Sequence, residues 1–424
     1  MDLVKLLPWL AGGLILARWL GEAWLDGLNR RWVLAHADAV PEAFQATVDE
    51  ATYARSVQYT LARSRFARFD DTWGTLILLG FLFSGLLPWG HRFFQTWLGE
   101  STWSMAGFLF AVGVALSLPD LPVEWYGQFR LEERFGFNTS TQGTWWLDRL
   151  KGLLLATVLG YPLLVIVLGL VQWTGAVWWL WGWGVLLGFQ LLLAVLAPVV
   201  ILPLFNKLTP LPEGPLRERL LALASRTGFQ AKAIEIMDGS KRSRHSNAFF
   251  TGFGRFRKIV LFDTLVEQLE EPELEAVLAH EIGHFQRRHV PKRLLASAVG
   301  SFAGFWVLAT LAGQEGFVRA FGFVPSGIAP GSLAPALLLF GLLSGAVTFW
   351  FSPLSHAWSR RHEYEADAFA AATMGEPEPL IGALRKLNEK NLGNLTPHPL
   401  FSAFHHSHPT LLERERALQP RSLP

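Results

Sequence analysis

Cysteine is absent from the 424 residues. That excludes disulfides and thiolate metal ligands, so any bound metal must be held by histidine and carboxylate side chains. It also leaves the redox compartment unreadable. Charge is scarce as well: charged residues make up 17% of the chain against 51% hydrophobic, and mean hydropathy is +0.27. A net charge of +2 gives no reason to expect a nucleic-acid partner. No internal repeat recurs at solenoid spacing, and neither polar region is of low complexity. What the chain does have is long apolar runs, 19 Trp and 32 Phe, the composition of a polytopic protein that meets bilayer interfaces many times.

Seven apolar segments are long enough to cross a bilayer, near 3–25, 73–91, 103–121, 152–173, 177–203, 293–313 and 333–356. The first, with its core "LLPWLAGGLILA", also has the form of a signal peptide. The distribution of basic residues favours retaining it as a span. Arginines 30, 31, 55, 63, 65 and 68 lie between spans one and two, and Arg130, Arg134, Arg149 and Lys151 between three and four. Segment 206–293 holds fifteen basic residues, whereas the other three loops carry Arg92, none, and Arg319. This positive-inside alternation with seven spans puts the N-terminus outside and the long loop and tail in the cytosol.

Four regions follow: 1–205 with spans one to five and their loops, a cytosolic lobe at 206–292, spans six and seven at 293–356, and a cytosolic tail at 357–424. In the lobe, "EGPLRERLLALASRTG" has leucines at helical spacing and stops at Gly228. "KAIEIMD" and "RKIVLFDTL" alternate like strands, and "SNAFFTGFGRFRKIVLF" reads as a hairpin turning near Gly254. "EPELEAVLAHEIGHFQRRHV" opens with Pro272 and acidic residues and ends before Pro291, a helix with polar ends and not a span.

On that helix His280 and His284 are four apart, so they project from one face and can share a Zn²⁺, with Glu281 placed to act on its water. A catalytic zinc needs a third protein ligand and an open position. The tail offers "SRRHEYEADAFAAATMG", helix-like, with Glu363 and Asp367 four apart and small residues that permit close packing. Pattern alone leaves the third ligand open between His362, Glu363 and Glu365.

"HEIGH" followed by "SRRHEYEADAFA" resembles the membrane-embedded zinc metalloproteases of the type I CAAX prenyl protease family. "ERFGFNTST" at 133–141, "PLFNKLTPLPEG" at 203–214, "DGSKRSRHSNAFFTGFGRFRKIVLFDTL" at 238–265 and "SHPTLLERERAL" at 407–418 extend the resemblance, in that family's order. It implies a mainly α fold in which seven transmembrane helices enclose a water-filled chamber, with an α+β cytosolic lobe holding one Zn²⁺ per chain. Arg18 and Glu22, charged residues within the first span, fit such a chamber.

Carried over residue by residue, the resemblance makes His280, His284 and Glu363 the zinc ligands and Glu281 the general base. Asp367 would orient a ligating histidine, His408 would stabilise the oxyanion, and Arg414 would be a structural or site-proximal cation. Asn247, Ala248 and Phe249 would line the substrate on an exposed edge strand. Taken alone, His408 reads as a surface histidine, while a solvated helix arginine at Arg414 and a turn residue at Asn247 stay open beside those roles.

The implied activity is zinc-dependent endopeptidase action on a peptide or protein, of the kind that removes the last three residues from a prenylated cysteine motif. Nothing in the chain reports on a prenyl group. A heat-shock-type quality-control protease shares the chemistry on different substrates, though such proteins generally have fewer spans and no "ERFGFN" block. An intramembrane-cleaving protease is disfavoured because "HFQRRH" follows the motif, and a transporter with an incidental metal is the non-enzymatic alternative. The bilayer is an expected partner and a monomer the expected state. The compact chain suits a prokaryotic member in the inner membrane; a eukaryotic one would sit in the endoplasmic reticulum.

Overall fold

The apolar runs fold as long helices, because in lipid every backbone N–H and C=O must find its partner within the segment. The chain's computed structural model describes residues 3–45, 47–229, 233–251, 258–325 and 330–419. Among the described residues, five helical stretches are long and apolar enough to cross a membrane. The pair Glu50–Phe83 and Leu86–Leu98, bent by 53° across Gly85, makes a sixth if taken as one. Gly85 sits at φ 79°, a left-handed conformation that glycine adopts without strain. The apolar segment expected at 73–91 therefore runs through a kink.

The longest stretch, 142–205, is not one rod. At Gly175 (φ 56°) it divides into Tyr161–Thr174 and Trp178–Leu196, which pack against each other. Met105, Phe108, Leu168 and Leu339 sit in the apolar core between the long helices. In the C-terminal half, Pro330–Thr348 gives way at residues 349–351 to Ser352–Met374, whose first turn holds Pro353. The change from apolar to charged side chains near residue 356 leaves that second helix unbroken. A rigid rod thus joins the membrane region to the residues of the tail.

The intervening lobe is built on a four-stranded sheet of β1 (Leu208–Pro210), β2 (Ala233–Met237), β3 (Ala248–Thr251) and β4 (Lys258–Phe262). Their order is β1-β2-β4-β3, with β2 and β4 parallel and both outer pairs antiparallel. β3 is therefore an edge strand. The hairpin turn expected near Gly254 lies outside the described residues. Helix Pro215–Arg226 ends before Gly228 at φ 68°. Leu220, Leu223, Ile259, Leu261 and Leu278 form the core between sheet and helices.

The tail is tied to both regions. Asn29 Oδ1 accepts the His398 N–H at 3.0 Å, and Ser56 donates to the Gly393 carbonyl at 2.7 Å. On the other side, Arg385 holds the buried Glu415 through two bonds of 2.7 and 2.8 Å. The last helix, Leu411–Leu418, starts at Thr410, whose hydroxyl and the Glu413 carboxylate cap it reciprocally.

Candidate metal centre

Glu271–Gln286 is the helix that carries the two motif histidines. Pro272 opens it, and the Glu270 N–H donates to Glu273 Oε2 at 2.8 Å. It ends earlier than Pro291: Arg288 takes a left-handed φ of 56° and a new helix starts at His289, with Pro291 in its first turn. This motif helix packs most closely on the tail helix Ser352–Met374. The contact is made by small residues, as a Cβ on Gly283 would lie 3.0 Å from both Cα and O of Ala366. Ala276, Ala279, Ala366 and Ala370 are fully buried beside it. Close approach lets a short carboxylate on one helix reach imidazoles on the other.

Three donor atoms meet there. His280 Nε2 lies 3.2 Å from His284 Nε2 and 3.4 Å from Glu363 Oε2, and His284 Nε2 is 3.4 Å from Glu363 Oε1. A tetrahedral ion with bonds of about 2.0–2.1 Å needs ligand atoms about 3.3–3.4 Å apart. The two imidazole nitrogens stand near that separation, and one ligand atom from each of the three residues lies within 4.8 Å of the others. Glu363 is 2% exposed, and its Oε2 accepts no well-formed hydrogen bond among the described residues, although His408 Nδ1 lies 2.8 Å away. A buried carboxylate oxygen left in that condition is costly unless a cation takes it. The residues present fit a metal ion.

Both imidazoles of the cluster are held from behind. His280 Nδ1 is 2.8 Å from Asp367 Oδ1, which leaves Nε2 facing the triangle. Asp367 is in turn gripped by Arg414, Nε to Oδ2 at 2.8 Å and Nη2 to Oδ1 at 2.5 Å. His284 Nδ1 is 2.9 Å from His289 Nδ1, and His289 Nε2 is 3.1 Å from Glu365. His362 stacks on His289 with ring centroids 4.0 Å apart. Sequence reasoning missed His289; the third histidine in "HEIGHFQRRH" was the available signal. Of the three third-ligand candidates, the structure puts only Glu363 in the triangle, with Glu365 and His362 behind it.

These contacts set the charge states. Burial alone would lower the His280 pKa, but hydrogen bonds with Asp367 and Glu363 outweigh it and raise the imidazole to about 9. Burial, reinforced by the His280 charge, depresses His284 to about 3. Glu281, half-buried beside them, has its carboxyl pushed up by burial and by the Glu363 charge, against the pull of His280. It makes no hydrogen bond among the described residues.

His408 is the exposed member, its side chain 64% accessible, and it lines a cavity of about 650 Å³. Glu22 and Asp26 of the first helix and Asp71 of Glu50–Phe83 share that cavity, with Arg18 bonded to Asp71 at 2.6 Å. Asn247, just before β3, is exposed, and its Oδ1 accepts the Ala248 N–H at 2.8 Å. Phe249 pairs with Val260 and sets its ring edge-on to Phe262. β3 packs on the motif helix that carries the histidines.

Membrane-crossing helices, two histidines and a glutamate in an ion-sized triangle, and an open strand edge beside them define a membrane metallopeptidase. Comparison with known proteins gives the same class. Residues 29–207 match the family described as "CAAX prenyl protease N-terminal, five membrane helices", and residues 210–422 match "Peptidase family M48". The chain is 34% identical to "CAAX prenyl protease 1" of Saccharomyces cerevisiae, over 97% of its length and 95% of that protein. It is 32% identical to the Homo sapiens "CAAX prenyl protease 1 homolog", covering 96% and 95% of the two chains. The crystal structure of S. mikatae Ste24p superposes with a TM-score of 0.88 at 32% identity, over 97% of this chain and 98% of that one. The chain belongs to peptidase family M48, in the group with the CAAX prenyl protease N-terminal domain.

Proposed function

We propose that this metalloendopeptidase is zinc-dependent and cuts close to the C-terminus of prenylated CAAX substrates, the class named by its relatives. The observation that carries the reading is the cluster of His280, His284 and Glu363, whose ligand atoms lie within 4.8 Å of one another, with each imidazole Nε2 3.4 Å from a Glu363 oxygen. Two imidazoles and one carboxylate, with no sulfur, form a donor set suited to catalytic Zn²⁺. When bound, Zn²⁺ supplies Lewis acidity and a water acidified toward neutral pH.

The chain's own groups do the rest. The substrate adds to the open edge of β3, with Asn247 and Ala248 fixing its main chain and Phe249 part of the same strand. Glu281, unpaired and with its carboxyl raised by burial, accepts the proton of the attacking water and delivers it to the leaving amine. His408, 2.8 Å from Glu363, donates to the oxygen that gains charge at the scissile carbonyl. Asp367 and Arg414 keep His280 in place.

The chain crosses the bilayer seven times in this reading. The kinked pair at Gly85 counts as one crossing, and the two segments flanking Gly175 as two. The basic loops then lie on one side, with the metal centre facing the cytosol. The polar cavity beside His408 is the described part of a water-filled chamber, and one copy of the chain suffices for the site.

Purified protein given an S-farnesylated CAAX peptide should release its last three residues, stop with a zinc chelator, and recover with added Zn²⁺. Unmodified peptide should be cut more slowly. Chelator-resistant cutting would remove the metal from the reaction, and equal rates on both peptides would remove the prenyl group from recognition.

A further inference from the structure

A peptidase that cuts a fixed three residues from the end of its substrate must sense that end, and the end carries a negative charge. We infer that Arg63 receives the C-terminal carboxylate of the substrate; this rests on the C-terminal processing reading above.

Direction comes first. β3 runs from Ala248 to Thr251 and pairs antiparallel with β4, leaving its other edge open. Antiparallel addition is the more stable pairing for an incoming strand. A peptide so placed runs toward its C-terminus as β3 is followed backwards, past Asn247 to His245 and Ser243. Three residues beyond the cut extend about 10 Å, so the carboxylate must be met a short way along that path.

A cleft of about 410 Å³ lies there, lined by Arg63, Gln128, Glu132, Ser243 and His245. Arg63 also lines the cavity that contains His408, so it stands where the two spaces meet. It is the arginine of these walls without a counter-ion. Arg68, the other arginine of these walls, is bonded to Asp26, but no carboxylate lies within 4 Å of the Arg63 guanidinium among the described residues. Its guanidinium instead rests over the Tyr59 ring at 5.6 Å.

The acidic group of the cleft is already occupied. Glu132 takes the Tyr59 hydroxyl at 2.9 and 3.0 Å and lies 3.4 Å from His245 Nε2. His245 is stacked on Phe137 at 4.2 Å and is 3.0 Å from Asn391 Oδ1 through its other nitrogen. Tyr59 and His245 thus hold Glu132; the Arg63 charge acts on Tyr59 and on Glu132 from beyond ion-pair distance, which leaves the guanidinium able to form a bidentate pair with an arriving carboxylate.

The test compares two S-farnesylated fluorescent peptides of identical sequence, one ending in a free acid and one in a C-terminal amide. For wild type, kcat/KM should favour the acid by about tenfold to a hundredfold, the range of a charge-assisted hydrogen-bonded pair. In Arg63→Gln the ratio should fall to near one, chiefly through KM, while Arg63→Lys should retain part of it. Fluorescence anisotropy with the same peptides reads the ratio of binding constants without turnover, and should change in parallel.

A wild-type ratio near one, or an unchanged ratio in Arg63→Gln, would overturn the assignment; a loss common to both peptides is such an unchanged ratio. Absence of chelator-sensitive cutting of either peptide by wild type would instead sink the peptidase reading. The binding ratio would then still decide the role of Arg63.

Discussion

Asp367 Oδ1 lies 2.8 Å from His280 Nδ1 while both Asp367 oxygens are held by Arg414, so one carboxylate joins a buried imidazole to a buried cation. Asp367→Asn should keep the fold, through an amide oxygen for Arg414, and weaken Zn²⁺ binding about 10- to 100-fold. Asp367→Ala should also cost stability, about 3–5 kcal/mol, because Arg414 loses its partner in a buried site. Chelator competition and thermal unfolding separate the two effects. Equal metal affinity in wild type and Asp367→Asn would contradict the orienting role.

In the proposed reaction Glu281 and His408 act on the reacting atoms without belonging to the donor triangle. Glu281→Gln should bind Zn²⁺ as wild type does and lose turnover by about 10²–10⁴-fold. His408→Ala should likewise keep the metal and lose about a hundredfold in kcat. Metal content by elemental analysis beside a peptide assay decides each case. A zinc-replete, active Glu281→Gln protein would take Glu281 out of its assigned role.

Proton release on metal uptake follows from the two histidines. In the metal-free protein His280 is protonated below about 9, whereas His284, at about 3, is neutral. A ligating nitrogen must be unprotonated, so binding at pH 6 expels about one proton, from His280, and none from His284. Apparent affinity should therefore rise with pH, about tenfold per unit, until pH passes 9. Titration calorimetry with Zn²⁺ in two buffers of different ionisation enthalpy counts the proton. A count of zero at pH 6 would show that His280 is already neutral.

Gly283 sets the separation of the motif and tail helices. A methyl group there meets the Ala366 backbone at 3.0 Å, and backbone on a packed helix yields only by moving the helix. Gly283→Ala should cost about 1–3 kcal/mol and weaken metal binding as Glu363 is drawn away from the histidines. Unaltered melting and metal affinity would mean that this contact does not set the site.

Much of this was readable in the chain because it rests on local spacing. His280 and His284 announce themselves by helical periodicity, and Gly228 ends its helix by its conformation. Glu363 was harder: pattern left it level with His362 and Glu365, since the choice among neighbours depends on the rotation of Ser352–Met374 about its axis. The resemblance to a known family supplied it. His289 escaped because its contacts, with His284, Glu365 and His362, require a helix break at Arg288 in a stretch without glycine. β1 is too short, at Leu208–Pro210, to show alternation. The kink at Gly85 was hidden by apolar text on both sides, and the lack of an ion pair at Arg63 can be recognised only once its neighbours' partners are known.

The most direct measurement is X-ray absorption at the zinc edge on the purified full-length chain. The expected spectrum shows one ion per chain, three protein nitrogen or oxygen ligands at about 2.0–2.1 Å, and no sulfur shell. Glu363→Ala should disturb that shell and His284→Ala abolish it. Stoichiometric zinc with the same spectrum in both variants would place the ion elsewhere and contradict a centre built by His280, His284 and Glu363.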